Sequence, residues 1–430
     1  MKYVLHVEIV KKVGCSLSNV DLESVVLQEL QALKTVRPGS CLQADTFLSE
    51  SLKKCVTSIR MSEISELEFL NETSIDNVKE LSIDRADLKF HQYLLEEEEI
   101  QTEEFNAGAD GDSESVSVAN YCVLPHVSCD GLWESLIFDN NIKESLLEYA
   151  ITSMIFSQHK VDTNVICWNR VILLYGPPGT GKTSLCKALA QKLSIRLKSN
   201  YQLTEFIEVN SHSLFSKYYS ESGKLVMKMF AKIKEHLEYG ESLVCVLIDE
   251  IESLTRARNS CVSGGEPSDS IRVVNAILTQ LDQIRKYPNV LILTTSNLKS
   301  AIDVAFVDRA DLQVYIGPPS AYAIYSIFVS CLEELIRVGI ITTEKSISFL
   351  PAKCVEDSDD EKDNLNNKLL SVAKLCDGLS GRILRKIPFL AYSYFSRSKN
   401  KSIENYIGAL QQAISQYQSS NEKISFMHSS

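Results

Sequence analysis

The run GPPGTGKTS, residues 176–184, carries the most specific chemistry in the sequence. It has the pattern G-x-x-x-x-G-K-T, set after the apolar run RVILLY and before the helical run SLCKALAQKL. Gly176, Gly179 and Gly181 let the backbone curl around phosphate oxygens, with Pro177, Pro178 and Thr180 filling out the turn. Successive N–H groups through Ser184 and the helix N-terminus present positive dipole ends to those oxygens. Lys182 has the reach for the β- and γ-phosphates, and Thr183 offers a hydroxyl to Mg2+. A glycine-rich turn of chance composition would not need that flanking strand and helix. The loop therefore points to a nucleoside triphosphate and Mg2+ as the bound pair.

Two more strand ends complete such a site. VCVLIDE ends in Asp249 and Glu250. Asp249 at the strand edge can hold Mg2+, often through water, while Glu250 orients and polarises an attacking water. Taken alone, two carboxylates after a strand are more often helix-capping residues; joined to the loop, they favour hydrolysis over nucleotide storage. NVLILTTSN ends in Asn297, which beside the metal strand would place the lytic water near the γ-phosphate. The plain alternative is a turn asparagine. A different puzzle is the pair Tyr218 and Tyr219, preceded by Lys217, in the polar stretch SHSLFSKYYSESGKLV. Adjacent helical positions point about 100° apart, so two neighbouring rings do not share one buried face.

These residues need a scaffold. RVILLYG, FIEVNSH, SLVCVLIDE, NVLILTTSN and LQVYIGPP are five buried-looking strands alternating with amphipathic helices. That alternation predicts an α/β domain with a parallel sheet covered on both faces. The domain is expected over 119–316, followed by a small helical domain over 317–430, where strand signals stop. Residues 1–95 mix strand and helix patterns and predict a small α+β domain for binding or assembly, without a catalytic motif. Residues 96–118, EEEEIQTEEFNAGADGDSESVSV, are acidic and poor in apolar groups, which predicts a flexible linker.

The composition narrows the function classes. A formal net charge of −12 argues against a broad nucleic-acid surface, though not against a local basic channel. The 12 cysteines stand as singles, with no Cys-x-x-Cys pair and no zinc spacing. The apolar runs are strand-sized, well short of a membrane span, and MKYVLHVEIVKKVG lacks the uninterrupted apolar core of a secretory signal. The expectation is a reduced, intracellular, soluble protein.

The loop, LIDE and TTSN, in this order and spacing, resemble the AAA+ ATPases. With VNSHSLFSK, SESGKLV, EPSDSIRVVNAILTQLDQI, IDVAFVDRAD, YIGPPSA and GLSGRILRKIPFLA, residues 119–415 resemble the pachytene checkpoint protein 2 family. The resemblance implies an AAA+ P-loop ATPase domain with a C-terminal helical lid and a small α+β N-terminal domain for substrate and adaptor. It implies a homohexamer that uses ATP to partly unfold HORMA-domain proteins, from closed to open form. It also implies a HORMA-like adaptor, and work on meiotic chromosome-axis proteins and on the spindle assembly checkpoint. The places implied are the nucleus and chromosomes, and the cytoplasm and kinetochore in mitosis. No direct nucleic acid and no membrane partner are expected.

The resemblance also supplies residue roles. Tyr218 and Tyr219 become pore-loop aromatics, able to pack on any extended chain, with Lys217 assisting on acidic segments. The family pattern often has Trp-Phe there, so Tyr-Tyr is a departure. Arg309 would point into the neighbour's nucleotide site and stabilise charge in trans; the plain alternative is a surface arginine paired with Asp308 or Asp311. Arg382 resembles the lid arginine that contacts the γ-phosphate from the same chain. The stretch 256–270 would be a second channel loop or a plain surface loop. Competing functions are a DNA-directed AAA+ machine and an ATP-binding assembly switch without turnover.

Overall fold

The computed structural model describes residues 3–37, 39–65, 81–107, 114–210, 222–238, 240–252, 268–297, 302, 304–342, 349–350, 355, 364–396 and 402–428. The chain divides into two compact units. The first takes residues 1–134, 142–176 and 182–315; the second takes 135–141, 177–181 and 316–430.

The first unit begins with the expected small α+β fold. Strands β1 (Tyr3–Lys11), β3 (Cys41–Gln43), β4 (Val56–Ser65) and β6 (Ala86–Tyr93) form a sheet in the order β3-β4-β1-β6. Two short strands, β2 (Thr35–Val36) and β5 (Leu81–Ser82), pair separately. Helix α1 (Asn19–Leu33) starts where the Ser18 hydroxyl accepts the Asp21 N–H. Its Leu22, Val26 and Leu30, spaced four apart, share one face and join Val7, Ile9 and Ile59 in a core; α2 (Glu50–Cys55) adds Leu52.

All five strands expected for the parallel sheet are present: β9 (Val171–Tyr175), β10 (Leu203–Val209), β11 (Ser242–Ile248), β12 (Val290–Ser296) and β13 (Leu312–Tyr315). They run parallel in the order β13-β9-β12-β11-β10. Every residue of β11 and β12 is buried. Val244, Val246, Ile248 and Ile292 pack against Phe230 and Ile233 of α6 (Ser222–Glu238) and Ile277 and Leu281 of α7 (Ser268–Ile284). Helix α5 (Lys182–Arg196) also packs on β10, β11 and β12, beside α4 (Ile142–Gln158). Burial on both faces is what the near-continuous Val/Ile/Leu runs require.

The linker expected over 96–118 is not what forms. Strands β7 (Gln101–Ala107) and β8 (Glu114–Leu124) extend the sheet to seven strands, β8 antiparallel to β10 and β7 outermost. Acidic residues at an edge strand lie in water while the backbone pairs, so low hydrophobicity did not prevent a strand.

The four-stranded sheet is tied to α5 by buried charge. Lys192 donates to both Glu8 oxygens at 2.7 and 2.8 Å, to Ser62 Oγ at 2.8 Å and to Glu134 at 3.0 Å. Glu134 and the buried Trp133 belong to the short helix α3 (Leu132–Ser135). Arg196 reaches Glu8 at 3.0 Å, and Arg60 grips Asp130 at 2.6 and 2.9 Å. Burial alone would lower the Arg60 pKa, but the Asp130 carboxylate holds it above its usual range.

The second unit is helical: α9 (Ala321–Arg337), α10 (Asn364–Lys374), α11 (Gly381–Leu384), α12 (Ile387–Ala391) and α13 (Ile403–His428). Phe328, Leu332, Leu369, Cys376, Tyr406 and Leu410 lie in its core. Among the described residues no helix is long and apolar enough to cross a membrane.

Candidate active site

Strand β9 delivers the chain to Gly176, and α5 restarts it at Lys182. Lys182, 5% exposed, donates from Nζ to the Gly176 carbonyl at 2.8 Å. At the second residue of α5, Thr183 Oγ1 donates to Asp249 Oδ1 at 2.8 Å, so the two residues expected to hold a metal are brought together. Both are hard oxygen donors. Mg2+ takes one or two protein oxygens of this kind and fills the rest of its octahedron with water and phosphate. The donor set therefore fits Mg2+.

Glu250 follows Asp249 off the end of β11 in a left-handed backbone conformation, φ +50°. Asn297 lies one residue past the neighbouring β12, and its Nδ2 donates to Glu250 Oε1 at 3.3 Å. Its backbone N–H donates to Glu252 Oε1 at 3.0 Å. The parallel register sets these neighbours, because Ile248 of β11 faces Thr294 of β12. Lys182, Thr183, Asp249, Glu250 and Asn297 thus meet at the C-terminal ends of adjacent parallel strands, where open α/β sheets bind ligands.

The middle of the loop belongs to the second unit. Thr180 Oγ1 donates to the Pro177 carbonyl at 3.0 Å. The Arg382 backbone N–H donates to the Gly179 carbonyl at 3.1 Å, while the Arg382 side chain is exposed. Gly179 has φ +77°, and a Cβ there would stand 2.9 Å from Ser380 Oγ, so both backbone and space call for glycine.

Arg309 is placed away from that cluster. It follows α8 (Val304–Val307), and its Nε and Nη2 donate to the Asp282 carboxylate of α7 at 2.9 and 2.8 Å. The guanidinium holds Asp282 below the usual carboxylate range. Of the two neighbouring aspartates that the sequence offers as partners, Asp308 and Asp311, the second takes the Tyr149 hydroxyl and the Asn169 N–H. Lys217, Tyr218 and Tyr219 lie outside the described residues, as does 256–267 of the stretch 256–270. Sequence reasoning missed Glu252 and Thr295. Thr295 Oγ1 donates to Asp249 Oδ1 and accepts the Glu250 N–H at 3.0 Å. Its only signal was the doubled threonine of TTSN.

The strand order and the phosphate loop define a P-loop ATPase of the AAA class. In agreement, residues 172–318 match the ATPase family associated with various cellular activities (AAA), and residues 320–418 match the TRIP13-like AAA+ ATPase lid C-terminal domain. The chain is 44% identical over 422 residues to the Mus musculus pachytene checkpoint protein 2 homolog, covering 98% of this chain and 95% of that one. The Homo sapiens homolog is 48% identical over 344 residues, covering 80% and 79% of the two chains. The solved structure of C. elegans PCH-2 superposes with TM-score 0.75 at 34% identity, covering 97% of this chain and all of that one. An E. coli MS115-1 HORMA:CdnC:Trip13 complex shares the fold at TM-score 0.52 and 14% identity, over 67% of this chain and 93% of that one. The chain belongs to the pachytene checkpoint protein 2 family of AAA+ ATPases.

Proposed function

We propose that this chain forms a ring hexamer that couples Mg2+-dependent ATP hydrolysis to partial unfolding of HORMA-domain proteins, taking them from closed to open form. The observation that carries the reading is an intact hydrolytic cluster within a chain that matches its family along nearly its whole length. The HORMA:CdnC:Trip13 complex of similar fold supports HORMA domains as clients.

Thr183 and Asp249 would hold Mg2+, which when bound would supply positive charge to offset that of the phosphates. Lys182 adds a positive charge to the same phosphates, and the loop N–H groups orient them. Glu250 accepts the proton of the attacking water, while Asn297 fixes the carboxylate that does so. Arg309 of one copy serves the site of the next, exchanging Asp282 for phosphate. Arg382 reads the γ-phosphate from the lid. Tyr218 and Tyr219, with Lys217, grip the client in the channel. A HORMA-like adaptor presents the client, and the work lies in the meiotic chromosome axis and the spindle assembly checkpoint. It takes place in the nucleus and on chromosomes, and in the cytoplasm and at the kinetochore during mitosis, without direct nucleic-acid binding.

The test is steady-state ATP hydrolysis with and without a closed HORMA-domain protein and its adaptor, comparing wild type with Tyr218→Ala. Client stimulation should vanish in the variant while basal turnover stays. Equal stimulation in both proteins would remove the gripping role of the tyrosine.

A further inference from the structure

The chemistry of the site depends on where the Glu250 carboxylate points, and its backbone is the least comfortable part of the cluster. A φ of +50° is a region that side-chain-bearing residues avoid. Such a conformation persists only where surrounding bonds over-determine it. Here the bonds converge on one residue of the neighbouring strand. Thr295 Oγ1 accepts the Glu250 N–H at 3.0 Å, and the Thr295 carbonyl accepts the Ile251 N–H at 2.9 Å. The same hydroxyl donates its proton to Asp249 Oδ1, the oxygen that also takes Thr183. Thr295 is 1% exposed, so water does not compete for these bonds.

We propose that Thr295 is a positioning residue for hydrolysis: its hydroxyl locks Asp249 and Glu250 in register, so that the Glu250 carboxylate meets Asn297 and the attacking water. This rests on the reading of Glu250 as the group that activates water. A threonine hydroxyl suits the task because it donates and accepts at once. Aspartate as metal ligand needs a donor on its oxygen, and the amide of residue 250 needs an acceptor. Valine has the same shape and satisfies neither. Serine satisfies both. The mouth of the site would remain, but the strand end that aims Glu250 would relax from its left-handed turn. A misplacement of that carboxylate by about 1 Å costs on the order of 100-fold in rate.

The experiment compares Thr295→Val, Thr295→Ser and Glu250→Gln in the full chain. Turnover number and KM come from steady-state hydrolysis, and affinity from titration with a fluorescent ADP analogue. Thr295→Val should lose about 10- to 100-fold in kcat while nucleotide affinity changes less than about threefold, and Thr295→Ser should recover most of the rate. Wild-type kcat in Thr295→Val, or an equal loss in the serine and valine variants, overturns the proposal. So does a loss confined to nucleotide affinity. If Thr295→Val does not fold, Thr295→Ala replaces it in the comparison; if neither folds, the hydroxyl is a folding bond and the proposal is wrong. Glu250→Gln separates the two layers. Should it hydrolyse like wild type, the reading of Glu250 fails. Should it be inactive while Thr295→Val is not, only the role of Thr295 fails.

Discussion

Replacing Lys192 with methionine tests whether buried charge holds the four-stranded sheet to the ATPase sheet. Lys192 and Glu8 have side chains 3% and 1% exposed, and the ammonium serves Glu8, Ser62 and Glu134 together. Methionine keeps the chain length and removes the charge. Glu8 then keeps Arg196 at 3.0 Å but loses its two shortest bonds. Breaking one partner out of a buried pair costs about 3–5 kcal/mol, and the remaining Arg196 contact puts this case at the lower end, about 3 kcal/mol. For a unit of this size that is a fall in Tm of about 5 °C. The double change Glu8→Gln with Lys192→Met should cost less than the sum of the two single changes, by about 0.5 kcal/mol or more, because the shared pair is lost only once. Thermal and urea unfolding of the single and double variants and wild type supply the numbers. A Lys192→Met protein within about 0.5 kcal/mol of wild type would refute the reasoning, since that is what surface substitutions do.

Two further expectations concern other parts of the molecule. Mixing Arg309→Ala chains with Lys182→Ala chains should partly restore hydrolysis, because each defect lies in a different copy of a shared site; no rescue at any ratio would count against the trans role. His236 Nδ1 lies 2.8 Å from Glu205, and that hydrogen bond outweighs burial and raises the imidazole above its ordinary 6.5, helped by Glu103 and Glu235 and with Tyr121 stacked on the ring. The folded state binds this proton more tightly, so the stability it adds is fully present below pH 6.5 and is lost as pH rises through the folded value. Unfolding of wild type and His236→Gln across that window should show a difference that shrinks toward alkaline pH; a constant difference would contradict the assignment.

The parallel strands were legible because burial on both faces leaves continuous runs such as SLVCVLI and VLILTTS. The phosphate loop was legible because its glycine spacing is set by backbone geometry. The hairpin of β7 and β8 was not, since the acidic edge strand carries Glu103 and Glu104 and so resembles a solvated linker. In β8, the alternation of SVSVANYCVL is a strand pattern, masked by the charge before it. Thr295 escaped notice because threonine inside an apolar strand reads as a β-former; only the register with Asp249 gives its hydroxyl a purpose. The Arg309–Asp282 pair was hidden for a simpler reason: 27 positions separate the partners, and nearer aspartates competed.

A chain that turns ATP hydrolysis into a change of client conformation should leave that change visible in the client itself. The most direct measurement follows the closed and open forms of a HORMA-domain protein by NMR or ion-exchange profile, with its adaptor, ATP and Mg2+, using wild type and Glu250→Gln. Wild type at substoichiometric amounts should convert the client to the open form, and Glu250→Gln, which should still bind ATP, should not. Conversion by Glu250→Gln at the wild-type rate, or hydrolysis by wild type that leaves the client closed, would contradict this coupling.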